Sequence, residues 1–346
     1  MSNELENILS IYPIAQDIAQ YLSEEDLTTL SSIGGDLAKF CFDHKKDLIL
    51  DQYNHEIYSK FRVIEKLTLK DWNQRKVVPA DKLSVLVTLE VAVIDKEIIN
   101  LKQCERLVKL KCKHLKNIAK EDFPASLKVL DCSCSTLFDD AILSNLPETL
   151  EKIKLSVCRK ISSFTLEHLV HLREIDCSYS SISDAALNKF PVSLETLLLR
   201  GCTNVSGFNI SHLVHLKDIN CQGSSIKDKA INKFPVSLEK INLLECKNIS
   251  DFNIHHLVNL KELNIARTTT SGRALNNLPV SLEKIDLFVS ENVSDFNIRH
   301  LVNLKVIICS NTRITNSSLN NFPTSLETVS IARCRNISNF NINRLA

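Results

Sequence analysis

Residues 194–206 read Leu-Glu-Thr-Leu-Leu-Leu-Arg-Gly-Cys-Thr-Asn-Val-Ser. The opening pattern, Leu-x-x-apolar-x-apolar, returns every 22 residues along the chain. The leucines that open its regular copies are Leu150, Leu172, Leu194, Leu216, Leu238, Leu260, Leu282, Leu304 and Leu326. With small slips in spacing, the pattern continues back through Leu127, Leu107 and Leu86 to Ile64, which gives about thirteen units. A fixed period in the twenties predicts a solenoid of stacked repeats and not a globular enzyme domain.

Each unit contains one short stretch in which apolar and polar residues alternate. In residues 172–178, this alternation predicts that Ile175 and Cys177 point inward, while Glu174, Asp176 and Ser178 point outward from a parallel strand. Stacked strands of this kind build one curved sheet with a shared core. Five phenylalanines recur at 44-residue spacing and are expected to fill the core behind the sheet as a stacked column: Phe164, Phe208, Phe252, Phe296 and Phe340.

The units are of two alternating types, so the full period is 44 residues. One type follows a proline, as at Pro191 and Pro235, and several of its copies reach a cysteine followed by Ile-Ser or Val-Ser, as at Cys202 and Cys246. These units resemble the cysteine-containing repeats of F-box/leucine-rich-repeat proteins, and the proline units are also similar to the short repeats of bacterial leucine-rich effectors. The resemblance implies an α/β leucine-rich-repeat solenoid with a parallel curved sheet over residues 63–346.

Residues 1–62 lack the repeat and show apolar residues at helical spacing. A first helix is expected to begin at Pro13, and a second to be capped at Ser23 and stopped by Gly34-Gly35. A third is expected from Asp36 with Leu48 on its apolar side, and a fourth through residues 53–61. The sequence therefore predicts a small helical domain ahead of the repeats.

The same segment resembles an F-box, the helical module that docks the Skp adaptor of cullin-RING ubiquitin ligases. Tyr12-Pro13 matches the usual Leu-Pro, but Leu37 stands where the family often has Trp, the acidic residue expected after the proline is missing, and the first helix is two residues short. The residues that the resemblance assigns to the adaptor are Pro13, Ile18, Leu22, Leu27, Leu30 and Ile33. The alternative is a solenoid cap, since a terminal repeat would otherwise expose its core. A cap buries these side chains, whereas an F-box leaves an apolar face free.

Differences between units on the outward strand positions mark a second candidate site. Polar residues are expected at these positions, yet several units carry large apolar groups or arginine, as protein interfaces do. The residues predicted to hold a protein client on the concave strand face are Tyr179, Leu198, Arg200, Leu244, Arg267, Phe288, Val289 and Ile308.

The residue inventory gives no sign of catalysis, metal or cofactor. The chain contains none of the common hydrolase, phosphate-loop or zinc-protease motifs, and only 6 glycines. Among its 12 cysteines, Cys158, Cys202 and Cys246 recur in one column and Cys177, Cys221 and Cys309 in another, as do the histidines at 168, 212, 256 and 300. Like members of a column are two strands, or roughly 10 Å, apart, too far for a disulfide or a shared ion. We expect the cysteines to act as small apolar residues and the histidines as structural loop residues.

The charge balance favours neither nucleic acid nor membrane as a partner. The chain carries 42 basic and 41 acidic residues and no long basic stripe. Its beginning lacks the features of a secretory signal, and no apolar stretch reaches the length of about 18 residues that spans a membrane. We expect a cytoplasmic protein.

Together these features predict a non-enzymatic substrate receptor of an Skp/cullin/F-box ubiquitin ligase, which binds a protein client. The alternatives are a leucine-rich-repeat scaffold without any ubiquitin connection and, as a matter of origin, a bacterial effector that acts as an F-box receptor in the host cytoplasm.

Overall fold

Two compact units make up the chain in a computed structural model, which describes residues 21–33, 35–51, 53–70 and 77–338. The first unit extends to Phe138 and includes Asn145–Leu150, and the second comprises Asp139–Ser144 and the residues from Glu151 onward. Both are built from short strands joined by loops and single helical turns.

The first unit holds the longer helices and the less regular strands. Its elements are α1 (Glu24–Ile33), α2 (Gly35–His44), β1 (Asp47–Leu50), α3 (His55–Tyr58), β2 (Lys66–Leu69), α4 (Ala80–Leu83), β3 (Thr88–Val91), β4 (Val93–Asp95), β5 (Lys109–Lys111), β6 (His114–Lys116) and β7 (Val129–Asp131), with 3-10 turns at Leu101–Gln103 and Lys120–Asp122. Strands β1, β2, β3, β5 and β7 form a parallel row in that order, and β4 pairs with β6.

The second unit is regular throughout. Its elements are α5 (Asp140–Ser144), β8 (Lys152–Lys154), β9 (Glu174–Asp176), α6 (Asp184–Leu187), β10 (Thr196–Leu198), β11 (Asp218–Asn220), α7 (Asp228–Ile231), β12 (Lys240–Asn242), β13 (Glu262–Asn264), α8 (Gly272–Leu275), β14 (Lys284–Asp286), β15 (Val306–Ile308), α9 (Asn316–Leu319) and β16 (Thr328–Ser330). Strands β8 to β16 pair in sequence order, all parallel.

A constant register aligns the repeats of the second unit. Leu197 lies opposite Ile175 on one side and Ile219 on the other, and all three side chains are fully buried. The residues on either side of Leu197 remain partly exposed, as the alternation predicts for a strand with one buried face. The predicted solenoid of parallel strands is therefore confirmed.

Hydrogen bonds between neighbouring loops explain the recurring Ile-Ser and Val-Ser pairs. The carboxylate of Asp184 accepts hydrogen bonds from the backbone N–H groups of Ser206 and Gly207, at 2.8 and 2.9 Å. Asp228 receives the equivalent pair from Ser250 and Asp251. These aspartates satisfy loop donors that the strands do not pair.

The histidine column has the structural role that its spacing predicts. Nε2 of His212 lies 3.1 Å from the carbonyl oxygen of Phe190, the residue before Pro191. His256 and His300 make the equivalent contact in later copies of the 44-residue period, each at 3.0 Å. A hydrogen bond in this position ties each proline-preceded turn to the next unit.

The phenylalanines pack in pairs and not in the expected single column. The ring of Phe208 lies 6.2 Å from that of Phe234, and Phe164 and Phe296 have their own partners at 6.0 Å. All of these rings are buried. Phe340, the last member predicted for the column, lies outside the described residues.

Two helices near the start differ from the expectation. Leu48 does not lie on the third helix, since α2 ends at His44 and Leu48 belongs to β1, opposite Leu67 of β2. The fourth helix is a single turn, α3, so that Tyr53 and Phe61 lie outside it. Leu48 is buried in the paired strand β1, and this burial outweighs the helical spacing of the apolar residues around it in the sequence. Among the described residues, parallel strand pairing begins at β1. The boundary at residue 62 between a helical domain and the repeats stays a prediction.

Phe208→Ala should lower the free energy of unfolding by about 3–5 kcal/mol, because it opens a cavity beside Phe234 in the core. The matched control is Phe288→Ala, which removes a half-exposed ring and should cost clearly less. Urea unfolding of the two variants and the wild type measures both effects. Equal losses would show that the two rings contribute alike, contrary to their burial.

Candidate binding surface

We call the strand face the outward residues of β8 to β16 together with the second and third residues after each strand. The constant register arranges these residues in columns with one member per unit. All eight predicted client residues belong to these columns. Each column has its own chemistry.

The column that ends each strand consists mainly of Asp and Asn for a structural reason. Oδ1 of Asn242 accepts a hydrogen bond from the backbone N–H of Leu244 at 3.0 Å, and Asp286 accepts one from Phe288 at 2.9 Å. Asp176, Asn220 and Asn264 do the same. These side chains hold the backbone at the strand end, as in Asx turns. Two predicted client residues, Leu198 and Ile308, replace this acceptor with an apolar group.

The residues of the next outward column differ in size and burial. Arg200, Leu244 and Phe288 are half-buried, whereas Ala266 and Ser178 are fully buried. Alternation predicts that Asp176 and Ser178 point outward, yet both residues are buried. Asp176 is held by hydrogen bonds from Ser156 and Ser178.

The turn after each strand adopts a left-handed conformation in every described repeat of the second unit. Tyr179, Arg267 and Val289 are in this column, with φ of 56°, 56° and 58°. Their 22-residue neighbours include Gly201 and Gly223, which adopt the conformation without steric cost. The backbone N–H of Arg267 donates to Phe288 O at 2.7 Å, which extends the strand ladder by one residue. A β-branched residue such as Val289 is a rare occupant of this region.

The structure brings some of the predicted client residues together. The guanidinium carbon of Arg267 lies 5.7 Å from the centre of the Phe288 ring, within cation–π range, and Val289 follows Phe288 directly. Nε of Arg267 also lies 3.9 Å from Glu245. Arg267, Phe288 and Val289 therefore form one cluster on the strand face, which we call the Arg–Phe cluster.

Tyr179 is an exposed aromatic residue elsewhere on the strand face. Its ring covers Gly201, where a methyl group added to the glycine would come within 2.4 Å of a ring carbon, and its side chain is 54% exposed. The backbone N–H of Tyr179 donates to Arg200 O. The side chain of Arg200 lies flat enough that its Nε is buried and has no hydrogen-bond partner among the described residues.

A polar hollow beside these residues was missed by the sequence reasoning. It measures about 250 Å³ and spans β11 to β14. Its charged lining alternates in sign through Asp218, Lys240, Glu262 and Lys284, and its amide lining is Asn220, Asn242 and Asn264. Nζ of Lys240 lies 2.7 Å from Glu262, and burial raises the pKa of Asp218. The sequence signal that could have identified this hollow is the alternation of acidic and basic residues at 22-residue spacing.

The predicted adaptor residues are only partly described. Pro13 and Ile18 lie outside the described residues, as does the side chain of Ile33. Leu27 is 1% exposed, whereas Leu22 and Leu30 are half-buried. Leu30 lines an open groove of about 350 Å³ together with Ala38 and Phe42. Charged residues Lys39, Asp43 and Lys60 also line it. The helices therefore combine a buried leucine, as a cap requires, with an open groove of mixed apolar and charged lining.

Eleven of the twelve cysteines are buried as core residues, and Cys134 is exposed. Burial raises the thiol pKa of Cys177, Cys221 and Cys309 well above the usual value, and that of Cys104 to about 12. A thiol that stays protonated at neutral pH is a poor nucleophile and a poor metal ligand.

Hydrogen bonding and proximity add two details to the cysteine columns. The thiol of Cys202 donates to Cys177 O at 3.1 Å. In the first unit, Cys112 and Cys132 follow adjacent strands with their sulfur atoms 3.7 Å apart, a proximity that the two-strand argument did not anticipate.

The described ranges contain no group of three or more His, Cys, Asp or Glu side chains that could hold a metal ion. In the same part of the chain, none of the helices has the length and apolar character that crossing a membrane requires.

Comparison with solved structures identifies the fold as that of leucine-rich-repeat proteins. The functional domain of InlJ from Listeria monocytogenes, which includes a cysteine ladder, is similar with a TM-score of 0.60 and 14% identity over 89% of this chain and 67% of InlJ. The internalin InlF from the same species gives 0.58 and 14% over 98% and 94%. TLR13 in complex with ssRNA13 gives 0.59 and 14%, and the match covers 84% of this chain and about half, 51%, of TLR13.

No protein-family model matches the chain, and no curated protein sequence matches it either. The structural neighbours indicate no enzyme family. At these identities the likeness establishes the fold, and function has to be argued from the residues of this chain.

Gly201→Ala should destabilise the protein more than Gly223→Ala. Both glycines have φ near 60°, so alanine pays a similar backbone cost of about 1–2 kcal/mol at each. Only at Gly201 does the new methyl group meet the Tyr179 ring, since nothing lies within 4 Å at Gly223. Denaturant unfolding of both variants, and of Gly201→Ala combined with Tyr179→Ala, tests the contact.

If the Tyr179 ring is the obstacle, the combined variant should recover part of the extra loss. Equal destabilisation of the two glycine variants would mean that the ring moves aside freely and is not fixed over Gly201.

Proposed function

We propose that this chain is a protein-binding adaptor that holds a client on the strand face of the second unit. The Arg–Phe cluster carries the proposal. In a face of polar residues, it joins a half-buried aromatic ring, an arginine stacked on it and a partly exposed valine. Aromatic and arginine side chains supply most of the binding energy in protein interfaces.

The charge of the strand face favours protein over nucleic acid. TLR13 is seen with single-stranded RNA, and such binding depends on basic groups that neutralise phosphates. Here the first outward column mixes Asp218 and Glu262 with Lys240 and Lys284. Lys240 is already paired with Glu262. A single-stranded RNA belongs in the binding experiment as the competing ligand class.

The finer proposal is that the N-terminal helices dock an Skp-type adaptor, so that the client is delivered to a cullin ubiquitin ligase. It is supported by the resemblance of residues 12–37 to an F-box and by the open groove at Leu30. The burial of Leu27 favours the alternative, in which the helices cap the repeats and the chain is a scaffold without a ligase. We propose the cytoplasm as the site of action, which would be that of a host if the protein is a bacterial effector.

Phe288→Ala should weaken client binding at least about thirtyfold, which corresponds to about 2 kcal/mol for an interface aromatic. The client is first recovered by affinity purification from eukaryotic lysate and identified by mass spectrometry, and its dissociation constant is then measured for each variant. Lys229→Ala is the control, because this exposed residue lies on α7, away from the strand face.

The variant should also unfold at nearly the wild-type denaturant concentration, so that lost binding cannot be attributed to lost folding. Normal client binding by Phe288→Ala, or tight binding of the single-stranded RNA instead of protein, would contradict the proposal.

Leu30→Asp should abolish co-purification of an Skp-type adaptor and cullin, because it replaces an apolar side chain of the groove with a carboxylate. Thr29→Asp is the matched control, since Thr29 is the exposed neighbour on the same helix and does not line the groove. Leu27 is not a suitable position, because a charge at this buried site would unfold the helices. If the wild-type protein recovers neither adaptor nor cullin, the ligase proposal is wrong.

A further inference from the structure

Seven valines stand in a row on the second unit, just ahead of the strands, where the fold does not require apolar residues. Each is between 50% and 63% exposed, although the leucine two residues later in each unit is buried. The members of this valine row are Val170, Val192, Val214, Val236, Val258, Val280 and Val302. At the strand spacing of about 4.8 Å, the row is roughly 29 Å long. Single exposed apolar residues are ordinary, but a continuous row marks an interaction surface.

A second row, three residues further along each unit, consists of alternating charges. Its nine members are Glu151, Arg173, Glu195, Lys217, Glu239, Lys261, Glu283, Lys305 and Glu327. Neighbours form ion pairs within the chain, as at Glu195, which lies 3.1 Å from Arg173 and 3.0 Å from Lys217. These pairs are largely exposed and contribute little to stability. Their charges remain accessible to a partner.

Between the two rows lies an open groove of about 870 Å³, with Val214, Val258 and Val302 along one side and the charges from Lys217 to Glu327 along the other. The serine hydroxyls of its floor are already used, since Ser237 and Ser281 each donate to a backbone carbonyl at 2.8 Å. The polar groups that the groove leaves accessible are therefore mainly the side chains of the charge row. A long apolar ridge beside a charged ridge suits a macromolecular partner.

The order of the charges identifies that partner. The eight alternating charges from Arg173 to Glu327 reverse their sign pattern when this stretch is read backwards. A second copy turned about a two-fold axis between Glu239 and Lys261 therefore meets an opposite charge at each of these eight positions, and Glu151 lies beyond the paired stretch. The resulting pairs are Arg173 with Glu327, Glu195 with Lys305, Lys217 with Glu283, and Glu239 with Lys261.

The same rotation places valine against valine. It aligns Val192 with Val302, Val214 with Val280, and Val236 with Val258. Another copy of the chain has the same unit spacing, so the match holds for six of the seven valines, and Val170 lies opposite Thr324. A parallel two-fold alignment would instead set like charges opposite each other, which costs binding energy.

We propose that the valine row and the charge row form a self-association surface, on which two copies of the chain pair antiparallel about a two-fold axis. Such an interface is self-complementary and closes as a dimer. It uses neither the Arg–Phe cluster nor the groove at Leu30, and it does not depend on the proposed function.

Sedimentation equilibrium of the purified full chain tests the proposal. The wild type should show a concentration-dependent monomer–dimer equilibrium, and Val258→Asp should weaken it at least about tenfold, because it buries a carboxylate in the apolar row. Val77→Asp is the matched control: Val77 is 62% exposed but lies outside the row, and its substitution should leave the dimer unchanged. A wild type that stays monomeric at every concentration, or a dimer indifferent to Val258→Asp, would overturn the proposal.

Two charge reversals then test the antiparallel geometry. Lys261→Glu alone sets acid against acid at the two central positions, and Glu239→Lys alone sets base against base, so each variant should dimerise more weakly than the wild type. Mixing the two variants should restore dimerisation, since every central contact in the heterodimer is again between opposite charges. The 3.1 Å ion pair inside each chain stays broken in the mixture, so recovery can come only from the interface. No recovery on mixing rules out the antiparallel arrangement.

Discussion

The parallel pairing of strands at a constant 22-residue register is the constraint on which the second unit depends. Leu197 lies between Ile175 and Ile219 because each strand bonds to the next without a slip. Every residue therefore meets the residue 22 positions away, and a property that repeats in the sequence becomes a column in space. The Asp184 loop bonds, the His212 contact and the valine row all follow from this one alignment.

The same alignment explains why the residues of a column either stabilise the fold or remain available to a partner. The side-chain oxygens of Asn242 and Asp286 accept hydrogen bonds from the backbone N–H two residues later. This column therefore has a structural role in most units. Leu198 and Ile308 lack that acceptor, and their units keep a partly exposed apolar group instead. A residue that lacks the structural group of its column is therefore more informative about binding than a residue at a position that has no structural role.

Sequence periodicity predicted the solenoid, its strands and the structural histidines, because these depend only on which residues recur. It did not predict the burial of Ser178, because alternation gives the direction of a side chain and not its exposure. It failed at Leu48, where pairing of β1 with β2 overrides a helical pattern. It also could not show that Tyr179, Arg267 and Val289 share a left-handed turn, since residues of very different types occupy this column. The cation–π contact of Arg267 with Phe288 joins residues of neighbouring units in two different columns, which periodicity does not predict.

The left-handed turn column also bears on the proposed client site. Gly201, Gly223 and Asn311 occupy it cheaply, whereas a β-branched valine or a bulky tyrosine pays a conformational cost. The ladder bond from the Val289 N–H to Ser310 O helps to hold the residue there. Strained residues of this kind are maintained by the surrounding structure and often occur at sites of function. Val289 and Tyr179 project their side chains from the turn at the edge of the strand face, and this is the physical reason to place the client beside the Arg–Phe cluster and not in the polar hollow of β11 to β14.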